Sequence, residues 1–363
     1  MTMEETKKKM YIRQTTLPEL GLKGQKKLNS AKIAVIGCGG LGSAAAVYLA
    51  GSGIGHIHLI DYDQIDQSNL HRQVFYHLDQ VGESKAKVLS EHISLLNPYV
   101  KTSIDNRALT KETIHSQLSD YQIIVDCTDS LSTKYLLNDY SVLNEKVLVY
   151  GSLYKHDGYV GVFNLETESG RSSNLRDAFP QMPKNPVPNC SEIGTLNPIA
   201  GIIGLMQANE VIKIVTGLGE PLINSILIYN TLDNSQYKMN LKRGFSKAKI
   251  DSFYESEPYF DPACQPQEKV LLIEGVELKS RLGSESLMIL SVIENEEVKH
   301  PFEVDLRMSL KKFDPEKLQP FHDHDIVVVC HKGISSYLAT KRIKKEFPEM
   351  NVLSLKGGID RFM

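Results

Sequence analysis

The hydrophobic pattern divides the chain into two blocks. In the first, short apolar runs at Ile33 to Ile36, Ile57 to Ile60, Val100 to Ile104, Ile123 to Cys127 and Val147 to Tyr150 read as buried strands. Longer segments between them have helical spacing: an Ala-rich stretch after Gly42, Gly82 to Asn97 stopped by Pro98, Lys111 to Leu118, and Leu131 to Leu143. Strands alternating with helices predict a parallel sheet. From Gly158 the pattern changes. Tyr159 to Leu165, Ile226 to Asn230 and Gln236 to Leu241 predict antiparallel strands, the last two joined at Asp233-Asn234. Ile199 to Thr216 predicts a helix ended by Gly217. Glu166 to Asn197 is polar and proline-rich, and a loop of that length is uncommon unless it has a function.

Lys242 to Gln267 mixes Lys, Ser, Pro and acids and reads as a linker. A second block follows. Val270 to Ile273, Leu287 to Val292, Ile326 to Val329 and Val352 to Leu355 predict strands, with helices at Glu277 to Arg281 and Ser336 to Lys345. The expected fold class is α/β. A Rossmann-like doubly wound sheet with an antiparallel extension fills residues 1–245, a linker fills 246–268, and a small α/β domain fills 269–363.

The chemistry starts between Lys32 and Arg72. A strand leads into Gly37, Gly39 and Gly42, a helix follows, and the next strand ends in Asp61. Such a glycine turn brings a helix N-terminus, with its free N–H groups, up to a polyphosphate. Asp61 can accept hydrogen bonds from ribose hydroxyls. Asn69, Arg72 and Gln73 lie on the polar loop that follows, and Lys85 in the first turn of the next helix. Asp126 and Asp129 sit at a strand C-terminus, where open α/β sheets place their sites. In VVVCHKGISSYLATKRI a strand ends in Cys330 just before a helix, whose N-terminus favours an anionic sulfur.

Composition narrows the picture. A net charge of −3 offers no electrostatic case for nucleic acid or an anionic membrane as partner. The first residues carry no apolar signal segment. Pro198 to Leu218 comes nearest to a membrane span, but Gln207, Asn209, Glu210 and Lys213 interrupt it. The 5 scattered cysteines suit a reducing, cytoplasmic setting. Cys38 and Cys127 read as core packing, and Cys264 as a linker thiol. His322 and His324 alternate with Asp323 and Asp325, a pattern read as a solvated turn in preference to a metal site.

In fixed order, GCGGLG, LIDYD, SNLHRQ, the lysine of VGESK, and DCTDS resemble the ubiquitin-activating-like adenylyltransferases, nearest the MoeB and ThiF type. The likeness covers about residues 10 to 245. The second block resembles a rhodanese, as in members with a fused rhodanese domain (MoeZ-like). The resemblance implies ATP, Mg²⁺ and a ubiquitin-like sulfur carrier with a C-terminal Gly-Gly. The carrier carboxylate attacks the α-phosphate, and sulfur from a persulfide donor of cysteine desulfurase type then replaces AMP. A molybdopterin-synthase small subunit is the expected carrier, with a thiamine-pathway carrier as the alternative. It implies a homodimer in which Arg13 reaches the phosphates from the second subunit. Arg72 and Lys85 supply positive charge, Asn69 and Gln73 donate, Gly40 allows close backbone approach, Asp61 holds the ribose and Asp129 the Mg²⁺. Ser68, Leu70, His71 and Ser130 complete the ATP site by their places in the same motifs. Cys190, in the long loop, is the expected covalent acceptor from the adenylate, and Cys330 the persulfide carrier.

Two departures from the family pattern stand out. Its structural zinc is held by paired C-x-x-C motifs, and here those positions are Asn174, Asp177, Lys247 and Ile250, so no structural zinc is expected. In the rhodanese-like block, the usual Asp-x-Arg is replaced within Ser291-Val292-Ile293-Glu294, and the usual loop Arg is Ser335. A catalytic domain and a docking domain are both open readings of that block. Two further classes compete for the whole chain. One is an NAD-dependent oxidoreductase on the same glycine loop, separable by nicotinamide turnover. The other is a non-catalytic scaffold, favoured if Arg72→Ala leaves ATP–pyrophosphate exchange unchanged.

Overall fold

The computed structural model describes residues 3–183, 194–257, 259, 268–293, 298–308, 313–331 and 333–362. The chain forms two compact units, Met1–Tyr259 and Phe260–Met363.

The first unit begins with three helices, α1 (Met3–Met10), α2 (Ile12–Thr15) and α3 (Gly21–Ser30). Strands β1 (Lys32–Ile36), β2 (His56–Ile60), β3 (Lys101–Asp105) and β4 (Ile123–Asp126) then alternate with α4 (Gly40–Gly51), α5 (Lys85–Leu96) and α6 (Ile114–Leu118). After α7 (Leu131–Leu143) come β5 (Val147–Tyr154) and β6 (Asp157–Phe163), a small hairpin of β7 (Glu166–Thr167) and β8 (Gly170–Arg171), and α8 (Leu175–Ala178). The unit closes with α9 (Asn197–Thr216), β9 (Ser225–Asn230), β10 (Gln236–Asn240) and α10 (Lys247–Ser256).

The large sheet runs β10-β9-β6-β5-β4-β1-β2-β3. Strands β3 to β5 of that order, through β2, β1 and β4, pair in parallel, while β5–β6, β6–β9 and β9–β10 are antiparallel. This is the doubly wound sheet with an antiparallel extension that the pattern predicts. Successive residues of β1 face opposite cores: Ile33 and Val35 join one with α4, α5 and α9, and Ala34 and Ile36 the other with α6 and α7. Helix α4 is apolar on every side and is covered accordingly. Gly204 lets α9 press against it, since a Cβ there would lie 2.3 Å from the Leu41 carbonyl oxygen. Helix α9 is long and apolar enough to cross a membrane by length and composition alone, yet its buried face packs on α4, β5 and β6.

Two stretches of the first unit carry more structure than their polar composition suggests. The loop from Glu166 contains a hairpin, allowed by Gly170 at φ +100°, and a capped turn of helix. The stretch read as linker contains α10, capped by Ser246 and packed on α7 through the fully buried Ile250. Propensity alone left α10 unmarked, because a single buried aliphatic residue gives little periodic signal.

The second unit holds β11 (Leu272–Ile273), α11 (Gly275–Arg281), β12 (Leu287–Ser291), β13 (Leu306–Arg307), β14 (Asp325–Val329), α12 (Ile334–Glu346) and β15 (Val352–Leu355). Its sheet is all parallel, in the order β11-β15-β14-β12-β13. Ile326 and Val328 face one small core, Val327 and Val329 the other.

Candidate adenylation and sulfur-transfer sites

Parallel pairing aligns Ile36 with Ile60 and with Asp126, so the glycine turn, Asp61 and the DCTDS turn emerge side by side. Gly37 sits at φ +88°, and a Cβ there would meet the Cys127 carbonyl oxygen at 2.9 Å. Asp61 closes the turn. Its carboxylate accepts from Cys38 N–H at 2.6 Å and from Asp63 N–H at 2.8 Å. Burial raises the pKa of this acid, and the nearby Lys85 charge opposes the shift. Tyr76 donates its hydroxyl to the Cys38 carbonyl at 2.7 Å, fixing the turn from the other side.

The polar loop folds back over this turn. Gly40 lies so close to it that a Cβ would sit 3.1 Å from the Arg72 carbonyl oxygen and 2.9 Å from Ala200 Cβ. Arg72 Nη1 lies 2.9 Å from His71 Nε2 and 3.3 Å from the Ser68 carbonyl. Ser68 itself is held by Asp66, and Asn69 donates to Ser68 Oγ at 3.3 Å. Gln73 is buried beside Gly39, and its Oε1 has no hydrogen-bond partner among the described residues. Leu70 packs against the large core. Lys85 is only 4 % exposed, and its Nζ is 2.7 Å from Asp63 Oδ2. Asp63 is the residue that motif reading passed over, although it stands in LIDYD two places after the expected ribose acid.

The DCTDS turn is pinned from beneath. Asp126 is fully buried and paired with Lys134 Nζ at 3.1 and 3.2 Å. Lys134 also donates to the Gly151 carbonyl and lies over the Tyr150 ring. Thr128 donates its N–H and hydroxyl to Asp126. From α9, Gln207 donates to the Asp126 carbonyl at 2.7 Å and accepts the Cys127 thiol. Asp129 is thereby presented to solvent, and no hydrogen bond or ion pair to it occurs among the described residues. A single free carboxylate fits a hard cation that keeps most of its waters and takes phosphate oxygens. Ser130 caps α7, its hydroxyl accepting from Thr133 N–H. Arg13 is exposed on α2, with no partner among the described residues. Cys190 and Cys264 lie outside the described residues.

The positions of the family's zinc ligands make a different structure. Asn174 caps α8 and donates its N–H to Asp177 Oδ2 at 2.8 Å. Asp177 Oδ1 accepts from the N–H groups of Gly244 and Phe245 at 2.7 and 3.0 Å. Lys247 reaches Glu145, and Ile250 is core. An amide, a carboxylate already bound to backbone, a cation and an alkyl group do not fit zinc.

In the second unit, Cys330 directly follows β14 and is nearly covered. Its Sγ accepts from Ser336 N–H at 3.3 Å and lies 3.2 Å from Ser336 Oγ. Gly333, at φ +76°, lets the loop turn into α12. Gly358 passes so close that a Cβ would clash with the carbonyls of Cys330 and His331. Asp360 holds His331 at 3.0 Å. Lys332, the next residue of this loop, lies outside the described residues. His322 pairs with Asp323 on the surface, and Asp325 bonds to Arg281 and Asn351, so these residues do not converge on a metal.

The ThiF family pattern matches residues 11–249. Over 363 aligned residues, covering 96% of this chain and 91% of the relative, the sequence is 32% identical to the probable adenylyltransferase/sulfurtransferase MoeZ of Mycobacterium tuberculosis. It is 38% identical over 235 residues to the sulfur carrier protein adenylyltransferase of Thermus thermophilus, covering 64% of this chain and 87% of that one. Among solved structures, E. coli MccB with ATP is similar in fold, with a TM-score of 0.55 at 24% identity, over 61% of this chain and 68% of that one.

Proposed function

The chain belongs to the ThiF family, and from that premise we propose that it uses ATP to adenylate the C-terminal Gly-Gly carboxylate of a ubiquitin-like sulfur carrier. The carboxylate oxygen bonds to the α-phosphorus as the bond to pyrophosphate breaks. Charge grows on the phosphate oxygens, and groups that can meet it lie around the C-terminal ends of the central strands: Arg72 next to Gly40, Gln73 beside Gly39, and Lys85. Asp61 suits the ribose, and Asp129 would hold Mg²⁺, which supplies positive charge to the phosphates. Exposed Arg13 suits a reach into the site of a second copy in a cytoplasmic homodimer. No structural zinc is needed, because Asp177 ties the two segments directly.

The observation that supports this reading is that Arg72, through its backbone and side-chain stem, and Lys85, through Asp63, both stand next to the glycine turn and its closing acid, a set suited to triphosphate chemistry. The rhodanese-like unit supports a second step, in which Cys330 carries sulfane sulfur from a persulfide donor to replace AMP. It also favours a molybdopterin-type carrier. Cys190 is the candidate for a covalent link to the carrier. Carrier-dependent ATP–pyrophosphate exchange tests the reading, with mass spectrometry of each Gly-Gly carrier for adenylate and thiocarboxylate. Exchange with no carrier, or with none that ends in Gly-Gly, refutes it.

A further inference from the structure

The core of the second unit contains a hydroxyl that its strand pattern does not call for. Ser354 lies within β15, between Leu353 and Leu355, and is fully buried. A buried hydroxyl is unfavourable there unless it is hydrogen-bonded. Ser354 donates to Ser336 Oγ at 2.9 Å. Ser336 is also fully buried, and among the described residues the other partner of its hydroxyl is Cys330 Sγ at 3.2 Å. Thr340, one turn further along α12, does not compete, since its hydroxyl has no partner among the described residues.

We infer that Ser354 is a positioning residue for sulfur chemistry at Cys330: by donating to Ser336 it turns the Ser336 proton toward the sulfur. The inference rests on the reading of Cys330 as the sulfur carrier. A hydroxyl that accepts one hydrogen bond still has one proton to give, and Ser336 is fully buried. Cys330 Sγ then receives two donors from one residue, the Ser336 hydroxyl and the Ser336 N–H. Both favour a sulfur that bears negative charge. That is the state needed when the Cys330 thiolate attacks a sulfane sulfur. A new S–S bond forms, the donor S–S bond breaks, and the donor leaves with the electron pair, as sulfite when thiosulfate is used. Ser354 itself touches no reacting atom and works only through Ser336.

The test uses the full chain with Ser354→Ala, Ser336→Ala, the double variant and Cys330→Ala. Iodoacetamide labelling of the Cys330 peptide is followed by mass spectrometry from pH 6 to pH 10, beside sulfur loading from thiosulfate. Ser354→Ala is expected to slow labelling about three- to tenfold at neutral pH, with the rates converging at the alkaline end. Ser336→Ala should do at least as much, and adding Ser354→Ala to it should change nothing further. A profile for Ser354→Ala that superimposes on the parent overturns the inference, as do additive effects in the double variant. Sulfur loading undiminished in Cys330→Ala overturns instead the reading of Cys330 as carrier, whatever Ser354 does to labelling. If Ser354→Ala does not fold, Ser336→Ala decides: an unchanged labelling profile there removes the path through which Ser354 would act.

Discussion

Lys85 Nζ lies 2.7 Å from Asp63 Oδ2, so the buried lysine expected at the phosphates is aimed by the second acid of LIDYD. Lys85 is nearly covered while its partner is about half exposed, at 46%. The ammonium is thus held at the edge of the site and not free in solvent. Lys85→Ala is expected to lower carrier-dependent exchange by roughly 10²- to 10³-fold. Asp63→Asn should keep the charge but loosen its aim, lowering kcat/KM by roughly ten- to a hundredfold. Exchange kinetics on both variants check this; parent-like rates for Asp63→Asn would show that the pair does not position Lys85.

Asp126 and Lys134 form a fully buried ion pair under the DCTDS turn. Removing one member leaves an uncompensated charge in the core. Lys134→Met is expected to destabilise the first unit by about 3–5 kcal/mol. Urea unfolding followed by near-ultraviolet signals of the tyrosines measures this. Any folded fraction should also show weakened ATP-dependent exchange, since Thr128 and Asp129 follow Asp126 in the same turn.

Asp177 joins α8 to the segment after β10 by accepting two backbone N–H groups. Asp177→Ala should cost about 1 kcal/mol, because those donors are partly solvated and water can replace the carboxylate. Thermal unfolding reads the change. Metal analysis of the purified parent is expected to find no stoichiometric zinc, and one zinc per chain would contradict the reading of these positions.

His56 and His58 share the Ser103 hydroxyl, at 2.8 Å from each ring. His58 also stacks on Tyr121. Both rings have pKa values lowered chiefly by burial, His56 further by Lys32 and Lys101, while Ser103 and Asp105 partly offset the shift for His58. The unfolded chain therefore binds protons more readily than the folded one. Stability is complete above about pH 6.5 and falls as pH drops through the lowered folded values. The denaturation midpoint should fall between pH 7.5 and 5.5, and a His56→Gln/His58→Gln variant should flatten that slope. A midpoint equally pH-dependent in the variant would assign the effect elsewhere.

Much of the site could be read along the chain because its parts are local. A glycine at φ +88° before a helix, an acid at a strand end and a lysine opening α5 each leave a mark within a few residues. The same holds for Cys330 between β14 and α12. Helix α10 and the β7–β8 hairpin were not legible, because each is stabilised by neighbours outside its own segment.

The amino-acid sequence alone determined most of the order of strands and helices, the glycine turn and the candidate charged residues around it. Apolar periodicity and turn chemistry act over short distances, and a linear pattern records them. Tertiary structure decided what each charge is bonded to. Asp63 and Lys85 are 22 residues apart, Asp177 and Gly244 are 67 apart, and Ser354 and Ser336 are 18 apart. Such pairs form only when packing brings residues distant in sequence together, and for Ser354 and Ser336 it does so in a buried space where each polar group must find a partner.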